Sequence, residues 1–270
     1  MKPTIARAAI FGLGPLVASL LPACAVAPAG SDETSTTAAA IADGTPSTYP
    51  VVQVSGQPGG IGGPCSGTLI SDSWVLTGFN CAELANESVT VCTTPQPGPC
   101  AVSAEIYLQQ GPTWANLIHL ATPLEHLPSY PALSTTPITV GEPLTCAGTS
   151  AAGPTQGPFE ITGVESSSSG LYYPSPAGTA QLQGSDMGGG CFQNATLSGV
   201  LGKGGWDMED VSQVASWAQS TMCGGAMCGT VVDGENTLSC GTCADGDRCS
   251  SGVCVPWPHL PPPHCIGLCM

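Results

Sequence analysis

Residues 65 to 81 read CSGTLISDSWVLTGFNC, and the fold turns on them. SGTLI at 66–70 and SWVLTG at 73–78 are rich in β-branched and apolar residues and are separated by Ser71 and Asp72, so they read as two consecutive strands. Similar short runs recur on both sides: VVQV at 51–54, SVTVC at 88–92, AVSAEIYLQ at 101–109, NLIHLA at 116–121 and FEITGVE at 159–165, with Gly, Pro and Ser clusters between them. Many short strands with frequent turns predict an all-β sandwich or barrel from Ile41 to about Met222. One helical pattern, MEDVSQVASWAQSTM at 208–222, closes this region. In it Val211, Val214, Ala215 and Trp217 or Ala218 share a face, and acids fill the first turn.

The composition changes at Cys223, after which eight cysteines fall within 48 residues and the aliphatic pattern disappears. A segment this small cannot hold itself together by hydrophobic burial, so residues 223–270 read as a disulfide-rich module stabilised by crosslinks. Its tail, HLPPPHCIGLCM, offers His259, His264, Cys265 and Cys269 at spacings a metal could use, but the compartment favours disulfides and no metal or cofactor is expected.

That compartment is read from the start of the chain. Residues 1–23, MKPTIARAAIFGLGPLVASLLPA, have a basic start, a broken apolar stretch and a small residue before Cys24, the pattern of a secretory signal. LPAC at 21–24 resembles the bacterial lipobox, in which the cysteine is lipidated; Pro22 departs from it, and plain cleavage after Ala25 or Ala27 is the alternative. Residues 24–40 are small and polar and read as a flexible tether. Of fifteen cysteines, fourteen remain beside Cys24, enough for seven disulfides. Removing the signal leaves two basic residues, Lys203 and Arg248, against nineteen acidic ones, a formal charge of −17. Such a surface repels nucleic acid and anionic lipid, leaving a lipid on Cys24 as the expected route to a membrane.

CSGTLISDSWVLTGFNC resembles the trypsin-like serine proteases, in which two cysteines bracket SGTLI and WVLTAAH at this spacing. Further matches follow in the same order: IADGT at 41–45, NLIHLATPL at 116–124, TVGEPLTCAGTS at 139–150, GSDMGGGCF at 184–192, SGVLGKG at 198–204 and the helical stretch. The resemblance implies a double six-stranded β-barrel with a C-terminal helix over residues 41–222. It also implies that Cys65 pairs with Cys81 and Cys146 with Cys191; Cys92 and Cys100 are expected to close the TTPQPGP loop.

Laid onto this pattern, the histidine position is Asn80, the aspartate position Asn116 and the serine position Met187. An amide cannot serve as a base near neutral pH, Asn116 lacks the charge that stabilises an imidazolium, and a thioether forms no acyl ester. Loss of the serine or histidine alone costs about 10⁶ in turnover, or about 8 kcal/mol of barrier, in subtilisin. His119 lies an odd number of residues from Asn116 on one strand, so the two should face opposite sides. Ser185, standing where the family has a glycine, is the remaining candidate nucleophile, and it has no base nearby. Asp186 matches the family's aspartate that pairs with the amine freed at the Ile41 position, but Ala40 does not suit trypsin-like processing. The chain is therefore expected to stay uncut, with Asp186 accepting backbone N–H groups. Gln181 occupies the position that sets side-chain preference.

These residues predict a catalytically inactive serine-protease homologue, secreted or lipid-anchored, that binds a protein, peptide or glycan. Two alternatives stand beside it. One is an active hydrolase using Ser185; the other is an adhesion or wall-binding protein whose cysteine-rich module works while the β domain acts as a spacer.

Overall fold

The computed structural model describes residues 40–56, 64–82, 88–109, 115–124, 129–166, 171–202, 206–244 and 247–256. The signal segment, Cys24, most of the tether, His126, Lys203 and the tail bearing His259, His264, Cys265 and Cys269 lie outside the described residues.

A short strand β1 (Thr45–Pro46) precedes six strands that close into a barrel: β2 (Val51–Ser55), β3 (Cys65–Leu69), β4 (Trp74–Gly78), β5 (Thr90–Cys92), β6 (Cys100–Leu108) and β7 (Ala115–Leu120). The order around it is β2-β3-β4-β7-β6-β5. After β8 (Ala132–Leu133) come β9 (Pro143–Ser150), β10 (Gly153–Ser166), β11 (Leu171–Pro176), β12 (Gly190–Gln193), β13 (Thr196–Leu201) and β14 (Met208–Asp210). These pair as β9-β10-β11-β14-β13-β12 and back to β9, a second closed ring of six.

Period-2 alternation explains where each core sits. Val52, Val54, Leu69, Val75, Ile118 and Leu120 fill the first barrel, while Ile41, Leu144, Phe159, Ile161 and Met208 fill the second. The opposite faces of the same strands make the seam between barrels: Leu76 and Leu117 meet Phe192 and Val200 there, under Val214 and Ala218. His119, the neighbour of Ile118, accordingly points outward and stacks on Trp74 with ring centroids 4.3 Å apart.

The helical expectation over 208–222 is corrected in its first half. Met208–Asp210 forms β14, paired with β13 and β11, and Val211–Gln213 is a single 3₁₀ turn. The α-helix, α1, spans only Ala215–Met222. Ring closure needs an edge between β11 and β13, and this long-range pairing overrides the local helical pattern. Val211, Val214, Ala215 and Ala218 are buried, whereas Trp217 is only partly so.

Six disulfides crosslink the described residues: Cys65–Cys81, Cys92–Cys100, Cys146–Cys191, Cys223–Cys240, Cys228–Cys249 and Cys243–Cys254. The last three staple two hairpins, β15 (Thr230–Asp233) with β16 (Asn236–Ser239) and β17 (Asp247–Ser250) with β18 (Val253–Pro256).

The first hairpin is fastened to the first barrel by two reciprocal carboxylates, both buried. Asp72, between β3 and β4, accepts the backbone N–H groups of Glu235 (2.7 Å) and Asn236 (3.2 Å) and the Asn236 side-chain amide (2.7 Å). In return Asp233 accepts the Ser73 N–H at 3.2 Å and the Ser73 hydroxyl. Tyr130 donates its hydroxyl to Asp72 from the barrel side, at 2.7 Å. Gly234, at φ +60°, makes the close approach possible, because a Cβ there would strike the Asp72 carboxylate.

Candidate functional site

Strand β4 ends at Gly78 and runs into a 3₁₀ turn, Phe79–Cys81, that carries Asn80. Asn116 lies opposite Thr77 on β7 and is fully buried. Its side-chain N–H₂ donates to the carbonyls of Phe79 (3.1 Å) and Ala82 (2.7 Å), so one amide ties both ends of the Asn80 turn to β7. Its Oδ1 is buried without a partner among the described residues. The turn thus presents two acceptors to position 116 and requires a donor, which a carboxylate cannot supply.

The second half of the site is the turn Gly184–Asp186, capped by Gln183 and followed by Met187. The Asp186 carboxyl, fully buried, accepts the N–H of Gln183 at 2.6 Å and that of Ile41 at 3.0 Å. Burial pushes its pKa up to about 7, opposed by the hydrogen bond from Gln183. Next to it, the Met187 carbonyl accepts the Ser66 N–H at 2.8 Å, and the Met187 side chain packs against the interior of the first barrel. Gly188, at φ +84°, fits only as glycine, since a Cβ would collide with the Ser66 carbonyl and the Thr77 hydroxyl.

Ser66 joins the two halves. Its hydroxyl donates to the Ser185 carbonyl (2.9 Å) and accepts the Thr149 N–H (2.8 Å), while Thr77 donates to its carbonyl (2.7 Å). Through Ser66 and Cys81, whose sulfur lies 3.5 Å from the Met187 carbonyl, the Met187 turn rests directly on the end of β4 and the Asn80 turn. Asn80, Asn116, Ser185 and Met187 are therefore brought to one place at the mouth of the first barrel.

No imidazole reaches that place among the described residues. His119 sits on the outer face of β7, paired in register with Trp74 and Glu105, on the opposite side of the strand from Asn116. Ser185 is only partly exposed, its carbonyl accepts the Ser66 hydroxyl, and among the described residues no imidazole stands beside it. Gln181 is exposed and exchanges two backbone hydrogen bonds with Ala42, at 2.8 and 2.9 Å. Chemically the site can donate and accept neutral hydrogen bonds and offer a polarisable thioether surface. Two cavities lie elsewhere. One of about 330 Å³ is lined by Ser47, Thr48, Thr93 and Thr94, and one of about 400 Å³ by Leu133, Met222 and Leu238.

Sequence reasoning missed Ser66 and the Asp72–Asp233 pair. Ser66 gives no local signal, since serine in a strand next to a cysteine is common. Asp-Gly at 233–234 between TVV and NTLS was a readable hairpin turn, but nothing in it names the barrel loop it grips.

No protein-family model matches the sequence, and no curated protein does. Among solved structures the fold is similar to two scabies mite inactivated protease paralogues. S-I1 aligns with a TM-score of 0.54 at 19% identity, over 65% of this chain and 94% of that one. S-D1 aligns at 0.54 and 14% identity, over 65% and 93%. The likeness establishes the trypsin-like double-barrel fold.

Proposed function

We propose that this chain is a catalytically inactive serine-protease homologue that works outside the cell as a binding protein, secreted or held by a lipid on Cys24. The observation that carries this reading is the Asn116 amide, saturating the Phe79 and Ala82 carbonyls where the family's chemistry requires a carboxylate facing an imidazole. With Asn80 in the adjacent turn and Met187 opposite, the three positions where the family carries its base, orienting carboxylate and nucleophile hold two amides and a thioether, none of which takes up a proton near neutral pH or forms an acyl bond. It retains the partly exposed Asn80 amide and Met187 thioether, which suit an extended peptide, a protein loop or a glycan. Six disulfides support export to an oxidising compartment, and among the described residues no helix is long and apolar enough to cross a membrane. The grip of Asp72 and Asp233 on each other's loops favours a hairpin that belongs to the scaffold over a module that works alone.

The test is turnover. Purified mature chain incubated with casein and with peptide esters releases product no faster than buffer. Hydrolysis that survives further purification and is lost in M187A or S185A contradicts the reading.

A further inference from the structure

The cavity of about 330 Å³ where the chain enters β2 shares no wall residue with the cleft of Asn80, Asn116, Ser185 and Met187. Strand β3 spans the two: Ser66, near one end, holds the Met187 turn, and Leu69, at the other, lines the cavity. The walls come from stretches distant in sequence, and each is tied down. The Ser47 N–H donates to the Pro154 carbonyl (3.0 Å), the Thr48 N–H to the Gln156 side chain (2.9 Å) and the Leu69 N–H to the Pro50 carbonyl (2.9 Å). The Cys92–Cys100 crosslink closes the loop bearing Thr93 and Thr94, and the Thr94 and Thr149 hydroxyls share a hydrogen bond of 2.6 Å. Tyr49 is fixed at both ends, its ring stacked on Phe192 with centroids 3.8 Å apart and its hydroxyl donating to the Asn194 carbonyl at 3.0 Å. Walls held in this way cost a ligand little ordering.

The chemistry of these walls is specific. Ser47, Thr48, Thr93, Thr94 and Ser129 bring five hydroxyls to the cavity, and among the described residues no charged side chain lines it. The Ser47 hydroxyl accepts the Tyr49 N–H at 3.1 Å and keeps its own proton to donate, while the Thr93 and Ser129 hydroxyls have no protein partner among the described residues. A hydroxyl both donates and accepts, so this wall matches a ligand whose own groups do both. Tyr49, Pro50 and Val51 add an apolar surface beside the hydroxyls. An anion would meet no cation here on a chain of formal charge −15, and a cation would meet no carboxylate in the wall. Peptide groups, each fixed as donor or acceptor, use this set less fully than a pyranose, which carries hydroxyls around its rim and C–H groups on its faces.

We propose that this cavity binds a neutral sugar, a short pyranose stretch of an oligosaccharide, as a site separate from the degenerate cleft. The volume falls at the lower end of the range of about 300–1,000 Å³ usual for small-molecule sites, which suits a few sugar rings and excludes a folded partner. The hydroxyls of Thr93 and Ser129 hold nothing in the fold, so binding is where they act. This assignment does not depend on whether the cleft is inert.

The experiment titrates the full, disulfide-intact chain with cellotriose, maltotriose and chitotriose, followed by saturation-transfer NMR and calorimetry, with trigalacturonate as the anionic control. At least one neutral trisaccharide should bind with a dissociation constant below about 1 mM, and trigalacturonate should not. Binding of a glucose trimer alone points to a glucan as the source, and binding of chitotriose alone to an N-acetylated polysaccharide. The double variant T93V/S129A should keep a thermal midpoint near native and lose affinity at least about tenfold. If that midpoint falls, S129A is measured alone and the same loss of affinity, reduced to about threefold, is required. The proposal is overturned if none of the three sugars binds at about 10 mM, if trigalacturonate binds as well as they do, or if affinity is unchanged in the variants. Binding of an uncharged proline-rich peptide in place of all three sugars overturns it as well.

Discussion

Replacing Asp72 with alanine tests whether the cysteine-rich hairpin is part of the scaffold. In the native chain this carboxylate accepts three hydrogen bonds from the hairpin, at 2.7, 3.2 and 2.7 Å, and a fourth from Tyr130 at 2.7 Å. Removing a buried acceptor leaves its donors stranded, at about 1–3 kcal/mol for each one that water cannot reach, and such losses do not add in full. Asp233, on the tip of the same hairpin, keeps its bonds to Ser73. The expected net loss is therefore about 3–5 kcal/mol, comparable to breaking one partner of a buried charged pair. D72N keeps one oxygen but presents an amide to donors on the other side, and should lose about half as much. Urea unfolding gives the stability, and hydrogen exchange of residues 230–239 gives the location. Exchange there should accelerate in D72A while exchange in β9–β14 stays near native until global unfolding. A stability change below about 1 kcal/mol with unaltered exchange at 230–239 would refute the argument that these bonds fasten the hairpin.

Three further outcomes are expected. N116D places carboxylate oxygen against the Phe79 and Ala82 carbonyls, so it should destabilise by about 2–4 kcal/mol at neutral pH and recover in acid, checked by thermal unfolding at pH 4 and 8. G148A drives a methyl into the Asp186 carboxyl and should cost about 1–3 kcal/mol, while G184A, where a Cβ meets open space, should stay within about 1 kcal/mol. Removing the Cys65–Cys81 crosslink as C65A/C81A frees a loop spanning 16 residues and should lower stability by about 3 kcal/mol in the same assay.

The 65–81 stretch was readable because its strand alternation, tryptophan and cysteine spacing are local features. Asn80, Asn116 and Met187 were assigned from short motifs on either side of each. The outward face of His119 followed from strand parity alone. Residues 208–210 were not readable, because Met208 and Glu209 are buried by ring closure through partners at 171–172 and 200–201. The same limit hid the two hydrogen bonds from Asn116, the bridging role of Ser66 and the Asp72–Asp233 docking, whose partners lie up to 164 residues apart. Hydrophobic period reports which face is buried; it carries no information about which distant polar group a buried side chain must satisfy.

The claim that matters most is that no nucleophile in this cleft is activated, and a serine-directed fluorophosphonate measures it most directly. Intact mass of the mature chain after prolonged exposure should remain unchanged, with no adduct on Ser185. A stoichiometric adduct on Ser185, absent after denaturation, would mean that a base reaches this hydroxyl in the folded protein and would contradict the account.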